Sequence, residues 1–412
     1  MPTRRGWSAF AAGLAVWVAA RFTGSPDLHI LAAGITVLPI LAIGFVRWSK
    51  VRLEMHRHLS AVRMFAGSRV TVTLTLENLG RTTTSFLLLE DGVPASLGRP
   101  ARLVMAGIPP RNQQSASYTL SCRHRGRYTL GPLAVFLSDP FGLARTRMTY
   151  GVENELVVYP QVEELEGRPL VSRGAGTGES AVRQLYRSAA DFYTMRSYVT
   201  GDDLRRIHWP SVARTGELMI RQDEATRRSA AVVFLDNRAA ALGHRGSPAF
   251  ERGVSAAASI ALSMGRTGLA MRFASVDRRP DLVSEEDLLE ILASATHAKT
   301  RTLTEALLAM RSSALADTTL AFVSSPPRPA ELGVIIKTGS AFGRKLGVFV
   351  TPVSLSTLSP DARNEMETRI ARARAALQRA GWEVHIIQPE GGLAESWRRS
   401  RISRLQPVGT SS

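Results

Sequence analysis

The chain opens on two apolar stretches. Trp7 to Phe22 carries a charge only at Arg21, and Leu28 to Val46 is interrupted at His29. The second matches the roughly 17–25 residues a spanning helix needs, while the first is slightly short. Thr23-Gly24-Ser25-Pro26-Asp27 between them is turn chemistry, so residues 1–50 predict a transmembrane helical hairpin. From 51 to 166 the period becomes two. Val70 to Glu77 alternates apolar and polar residues, and Ser115 to Cys122 puts Ala116, Tyr118, Leu120 and Cys122 on one face. Phe86–Leu89, Tyr128–Leu130, Leu133–Leu137 and Leu156–Tyr159 add short strands, and Asp139-Pro140-Phe141-Gly142 fits a type I turn. Short strands with frequent turn signals predict an all-β sandwich of immunoglobulin-like type.

After Ser229 the pattern changes again. Ala230 to Leu235 is an unbroken apolar run ending at Asp236, as a strand buried on both faces reads. Ala270–Val276, Leu320–Val323, Leu346–Val350 and Val384–Ile387 are further strands. Between them lie helix starts: Ser284 with Asp287, Thr302 with Glu305, and Ser359-Pro360. Met366, Ile370, Ala373 and Leu377 make one apolar stripe that Gly381 ends. Alternating strands and helices predict a doubly wound α/β domain. The expected organisation is therefore a hairpin (1–50), a β-sandwich (51–166), a glycine-rich linker (167–197) and an α/β domain preceded by a motif segment (198–412).

Composition and charge add less. The 412 residues carry a formal net charge of +17. Lysine occurs only at Lys50, Lys299, Lys337 and Lys345, so the excess is arginine, without the aromatic-interleaved basic runs that stack on bases. Nucleic acid is disfavoured as a partner, and anionic membrane lipid fits the charge better. A lone Cys122 excludes a disulfide framework within the chain and reads as a small core residue. Arg4 and Arg5 precede the first apolar stretch, and Arg47, Lys50 and Arg52 follow the second, so the positive-inside rule puts both ends in the cytoplasm. The competing reading is a processed export signal, with Arg4 and Arg5 as its basic part and Val18-Ala19-Ala20 as a cleavage site.

Two motifs invite chemistry. Arg173 to Glu179 is glycine-rich but lacks the Lys-Ser/Thr of a phosphate loop, and a linker is the preferred reading. Tyr198-x-x-Gly201-Asp202-Asp203-Leu204-Arg205-Arg206-Ile207-His208-Trp209, followed by Ala213-Arg214, is the densest cluster. Its carboxylates and guanidiniums can pair as an interdomain clasp or present a partner-docking surface. Adjacent aspartates flanked by arginines are poor proton donors, so acid–base catalysis is disfavoured.

This stretch resembles the signature of domain-of-unknown-function family 58. Arg125-Gly126-Arg127-Tyr128, Gly131-Pro132 and Asp139-Pro140-Phe141-Gly142-Leu143 resemble membrane-anchored members of that family. His208 and Val212 depart from the pattern, where an acid and a serine are usual. The resemblance implies a von Willebrand factor A-like fold for the α/β domain. Such a fold can hold Mg²⁺ through an Asp-x-Ser-x-Ser motif. Asp236 stands at its first position, but Arg238 and Ala240 replace the serines and Ser324-Ser325 supplies no later carboxylate, so no cofactor is expected. The resemblance also implies a MoxR-type AAA+ ATPase as partner, with a transglutaminase-like membrane protein as a second. The leading expectation is a non-enzymatic, membrane-anchored assembly protein at the cell envelope. Tyr198, Gly201, Asp202, Asp203, Arg205, Arg206, Trp209 and Arg214 would form its clasp or docking surface. The alternatives are a hydrolase-type enzyme using Asp202, Asp203 or Asp236, and a basic scaffold on anionic lipid or nucleic acid.

Overall fold

The computed structural model describes residues 1–48, 52–165, 193–198, 207, 209–223, 230–299, 301–312 and 318–398. Two compact units emerge: Met1–Val162 with Glu286–Ala295, and Glu163–Glu285 with Thr296–Ser412.

The first unit begins with antiparallel helices α1 (Arg4–Thr23) and α2 (Pro26–Trp48). Thr3 caps α1 by accepting from the Gly6 N–H, and Gly24 in the left-handed region (φ 64°) ends it. The helices approach closely at Gly13, where any Cβ would strike Thr36. Among the described residues, Pro26–Arg47 is the one helix long and apolar enough to cross a membrane, a character that a signal sequence shares. At the open end of the hairpin, the Thr3 N–H donates to Leu143 O and its hydroxyl to Gly142 O, while Arg145 N–H donates to Met1 O. Leu143 and Ala144 pack there against Ala42 and Val46. The turn leading into them holds as expected: Gly142 N–H donates to Asp139 O, and the Asp139 carboxylate accepts from the Phe141 and Ala144 N–H groups.

Ten strands follow: β1 (Leu53–Leu59), β2 (Arg63–Phe65), β3 (Arg69–Asn78), β4 (Leu87–Asp91), β5 (Ala101–Met105), β6 (Gln113–Ser121), β7 (Gly126–Leu130), β8 (Leu133–Ser138), β9 (Arg145–Tyr150) and β10 (Asn154–Tyr159). They form sheets ordered β1-β3-β6, β2-β10-β7 and β5-β4-β8-β9. The alternation read in the sequence becomes burial, with Val70, Val72, Leu74 and Leu76 fully inside and the threonines between them turned outward. Cys122 lies in this core, and burial pushes its thiol pKa up. Strand β1 (Leu-Glu-Met-His-Arg-His-Leu) is harder to read from sequence, because one inward position is Arg57. Its guanidinium donates through Nη2 to Asp91 Oδ1 (2.5 Å) and through Nη1 to Val152 O (2.7 Å), and Tyr118 donates to Asp91 Oδ2 (2.6 Å). A charge buried this deeply is tolerated because each guanidinium nitrogen meets an acceptor and Asp91 supplies the counter-charge.

In the second unit, β11 (Tyr193–Ser197) and β12 (Met219–Asp223) pair antiparallel, so part of the span assigned by composition to a linker is strand. The remaining linker residues 167–192 lie outside the described residues. Helix α3 (Trp209–Thr215) precedes β12. A six-stranded sheet follows, built from β13 (Ala230–Leu235), β14 (Ala270–Ser275), β15 (Asp281–Leu282), β16 (Thr319–Ser324), β17 (Arg344–Val350) and β18 (Trp382–Ile387). Its order is β15-β14-β13-β16-β17-β18, parallel except for edge strand β15. The helices are α4 (Ala239–Leu242), α5 (Pro248–Gly265), α6 (Glu285–Ser294, grouped with the first unit from Glu286 onward), α7 (Leu303–Arg311), α8 (Pro329–Gly339) and α9 (Pro360–Arg379). Thr302 and Ser359 cap α7 and α9 as their sequences predict. On α9, Ala373 and Leu377 are buried beneath the stripe that begins at Met366.

Candidate functional site

Successive crossovers leave β13 on opposite sides, first to β14 and later to β16. The carboxyl ends of these two strands therefore flank a topological switch point, where open α/β sheets place their ligands. Three consecutive residues leave β13 there. Asp236 is fully buried, its N–H bonded to Val323 O of β16. Asn237 ties the loop together: its Nδ2 donates to Asp277 Oδ1 and Thr296 O, and its Oδ1 accepts from the Val276 N–H. Arg238 turns back on Asp236.

That return is bidentate. Arg238 Nε donates to Asp236 Oδ1 (2.8 Å) and Nη2 to Oδ2 (2.7 Å), while Ser324 Oγ donates to Oδ2 (2.6 Å) and the Arg238 N–H to Oδ1 (3.3 Å). The second arm of the guanidinium, Nη1, donates to Glu331 Oε1 (2.9 Å), and Glu331 Oε2 accepts from the Arg328 N–H at the start of α8. Burial works against the Arg238 charge, but the hydrogen bonds and charges of Asp236 and Glu331 outweigh it and its pKa rises.

A carboxylate has about four lone-pair directions, and those of Asp236 meet four donors. None is left for a divalent cation or for drawing a proton from a substrate. The guanidinium takes the cation's place beside the acid, so the residues present do not fit a Mg²⁺ site.

Beside this hub lies a cavity of about 150 Å³, whose walls include Arg238, Arg328, Glu331 and Arg369. Of these, the sequence reading singled out only Arg238. Glu331 sits at the third position of a helix whose cap is an arginine, outside the Ser/Thr pattern that marks most starts. Arg369 lies on α9 among solvent-facing charges, and only tertiary packing brings it here.

The motif segment is placed in part. Tyr198 is half-buried and its N–H donates to Leu218 O, extending the β11–β12 pairing. Trp209 opens α3 with 66% of its surface exposed, and Arg214 near the end of that helix is also exposed. Gly201, Asp202, Asp203, Leu204, Arg205, Arg206 and His208 lie outside the described residues.

The uncharacterized protein YeaD of Bacillus subtilis (strain 168) is 26% identical over 241 residues, which is 56% of this chain and 57% of that protein. The match thus spans little more than half of that relative's length. Among solved structures, the CARDB domain of a Pyrococcus furiosus protein aligns at 8% identity and a TM-score of 0.21, over 26% of this chain and 93% of that one. The alkylpurine DNA glycosylase AlkC of Pseudomonas fluorescens aligns at 15% identity and a TM-score of 0.20, over 34% and 43%. At such TM-scores neither likeness bears on the fold. Residues 194–319, which carry Trp209, Arg214 and the Asp236–Arg238 hub, match the family model described as Protein of unknown function DUF58.

Proposed function

We propose that this chain is a membrane-anchored, non-enzymatic interaction protein that docks a MoxR-type AAA+ ATPase in a chaperone-like role at the cell envelope. The observation that carries the reading is Trp209, two-thirds exposed inside the region matching the family model. A large aromatic that serves only as an internal clasp is expected to be covered, whereas exposed Trp with neighbouring Arg is the composition of an interaction hot spot. Trp209, Arg214 and the adjoining Asp202, Asp203, Arg205 and Arg206 form the docking element. A transglutaminase-like membrane protein is the second expected partner.

The α/β region is read as von Willebrand factor A-like. Support comes from its strand order, which in the domain's own numbering runs 3-2-1-4-5-6 with strand 3 antiparallel at the edge. Such a domain without a free metal ligand binds through side chains alone. The N-terminal β region is read as an immunoglobulin-like brace, and the hairpin as an anchor with both ends cytoplasmic, within reach of an ATP-driven partner.

The test is affinity purification from native membranes in mild detergent, comparing wild type with Trp209→Ala. Recovery of the ATPase with wild type and its loss with the variant, at unchanged thermal midpoint, is the expected outcome. Equal recovery with both proteins would remove Trp209 from the reading, and failure to recover any AAA+ ATPase would remove the partner.

A further inference from the structure

The cavity at the switch point has a charge imbalance that the Asp236–Arg238 hub does not use. Three arginines line it, Arg238, Arg328 and Arg369, together with Glu331. Arg238 is held by Asp236 on one side and Glu331 on the other, so both nearby acids are committed to it. Arg328 and Arg369 have no ion-pair partner among the described residues. Counting these five groups, three cations stand against two anions and the site keeps a net charge of +1.

The Arg369 guanidinium sharpens this. Among the described residues its Nε is buried without a hydrogen-bond partner, and its Nη2 donates to the Met366 sulfur, a weak acceptor. A buried N–H on a charged group without an acceptor is among the less favourable arrangements a folded chain can hold, and it calls for a specific reason. The first turn of α8 also begins at the cavity wall, adding the positive end of an eleven-residue helix. A volume of about 150 Å³ is below the roughly 300–1,000 Å³ of pockets that enclose whole drug-sized ligands. It suits a single charged group.

We propose that this cavity is an oxyanion site, taking one phosphate or carboxylate group through Arg328 and Arg369, with Arg238 fixed beside them as a third positive charge. Where a cation-dependent switch-point site would meet an anionic ligand through a metal ion, this chain meets it with planar guanidiniums, which offer paired donors to such groups. Arg328 is exposed and acts as the outer jaw; half-buried Arg369 supplies a donor within. The proposal does not depend on the identity of any partner, since the isolated chain either holds the anion or does not.

The experiment uses the full-length protein in phosphatidylcholine nanodiscs, so that no anionic lipid competes. Sodium phosphate and sodium succinate are titrated separately against sodium chloride at matched ionic strength, with isothermal titration and the thermal midpoint as readouts. A saturable response to at least one oxyanion beyond the chloride control is expected, weakened roughly tenfold or more in Arg328→Gln and in Arg369→Gln. A response to phosphate alone assigns the site to a phosphate-bearing ligand, and one to succinate alone to a carboxylate; both outcomes support it. The absence of any saturable response, or wild-type binding in the variants, overturns it. Should Arg369→Gln fold poorly, Arg328→Glu at the exposed position carries the test, with binding abolished as the expected result and binding retained as the refuting one.

Discussion

Removing Asp91 from the core of the β region should be among the most damaging single changes in this chain. Its carboxylate is fully buried, as is the Arg57 guanidinium that it neutralises, and it also accepts from Tyr118. In Asp91→Ala, Arg57 keeps acceptors at Leu130 O, Val152 O and Asn154 Oδ1 but loses its counter-charge, and the Tyr118 hydroxyl loses its acceptor. Breaking one side of a buried ion pair costs roughly 3–5 kcal/mol, because the remaining charge is stranded in low dielectric. With a urea dependence of about 2 kcal/mol/M, the unfolding midpoint should fall by about 2 M. Cys122, the only cysteine, packs in the same core and reports its opening through thiol labelling, independently of the second unit. A cycle with Arg57→Met and Asp91→Leu completes the test. The double variant should cost less than the sum of the singles by about 2–3 kcal/mol, since neither charge is then stranded. Additivity within about 0.5 kcal/mol, or a cost below about 1 kcal/mol for Asp91→Ala, would refute the assignment of a mutually dependent buried pair.

The same core titrates with a definite sign. Burial, followed by the hydrogen bond to Asp91, pushes the Tyr118 hydroxyl up, so the folded state holds this proton more tightly than the unfolded state. Its contribution is complete below the unfolded tyrosine value of about 10 and declines as pH rises beyond it. Tyr118→Phe should flatten the alkaline limb of stability against pH, and an unchanged slope would contradict this. The Arg125 guanidinium, nearly buried, donates to Leu292 O, Ala293 O and Ala295 O at the end of α6. Arg125→Ala should therefore speed amide exchange across residues 285–295, whereas unaltered protection there would show that packing alone holds the helix. At the hub, isothermal titration with Mg²⁺ should give no stoichiometric heat; binding that Asp236→Ala abolishes would reverse the reading of Arg238 as the occupant.

Much of the architecture is legible along the chain because periodicity is a local property. The alternation at Val70–Leu76, the apolar run at Val232–Leu235 and the caps Thr302 and Ser359 each depend on residues only a few positions apart, and each became the element its pattern implied. Strands β1, β5 and β9 were harder to read, since β1 turns a charge inward, β5 exposes Val104 and β9 has the polar Thr146 on its less exposed face. Asp236 could be picked out from its place at the end of a buried strand, and Arg238 beside it as a poor metal ligand. What the sequence alone determined is thus the succession of elements, the apolar N-terminal helix and the chemistry available at the end of β13. Only the tertiary structure decided what that chemistry becomes. It brings Ser324, Glu331, Arg328 and Arg369, between 86 and 131 residues away from Arg238 by their numbers, into one cavity wall or one hydrogen-bond shell. Local patterns specify how a segment folds against the core, whereas the pairing of distant charges depends on crossovers whose geometry no short window contains.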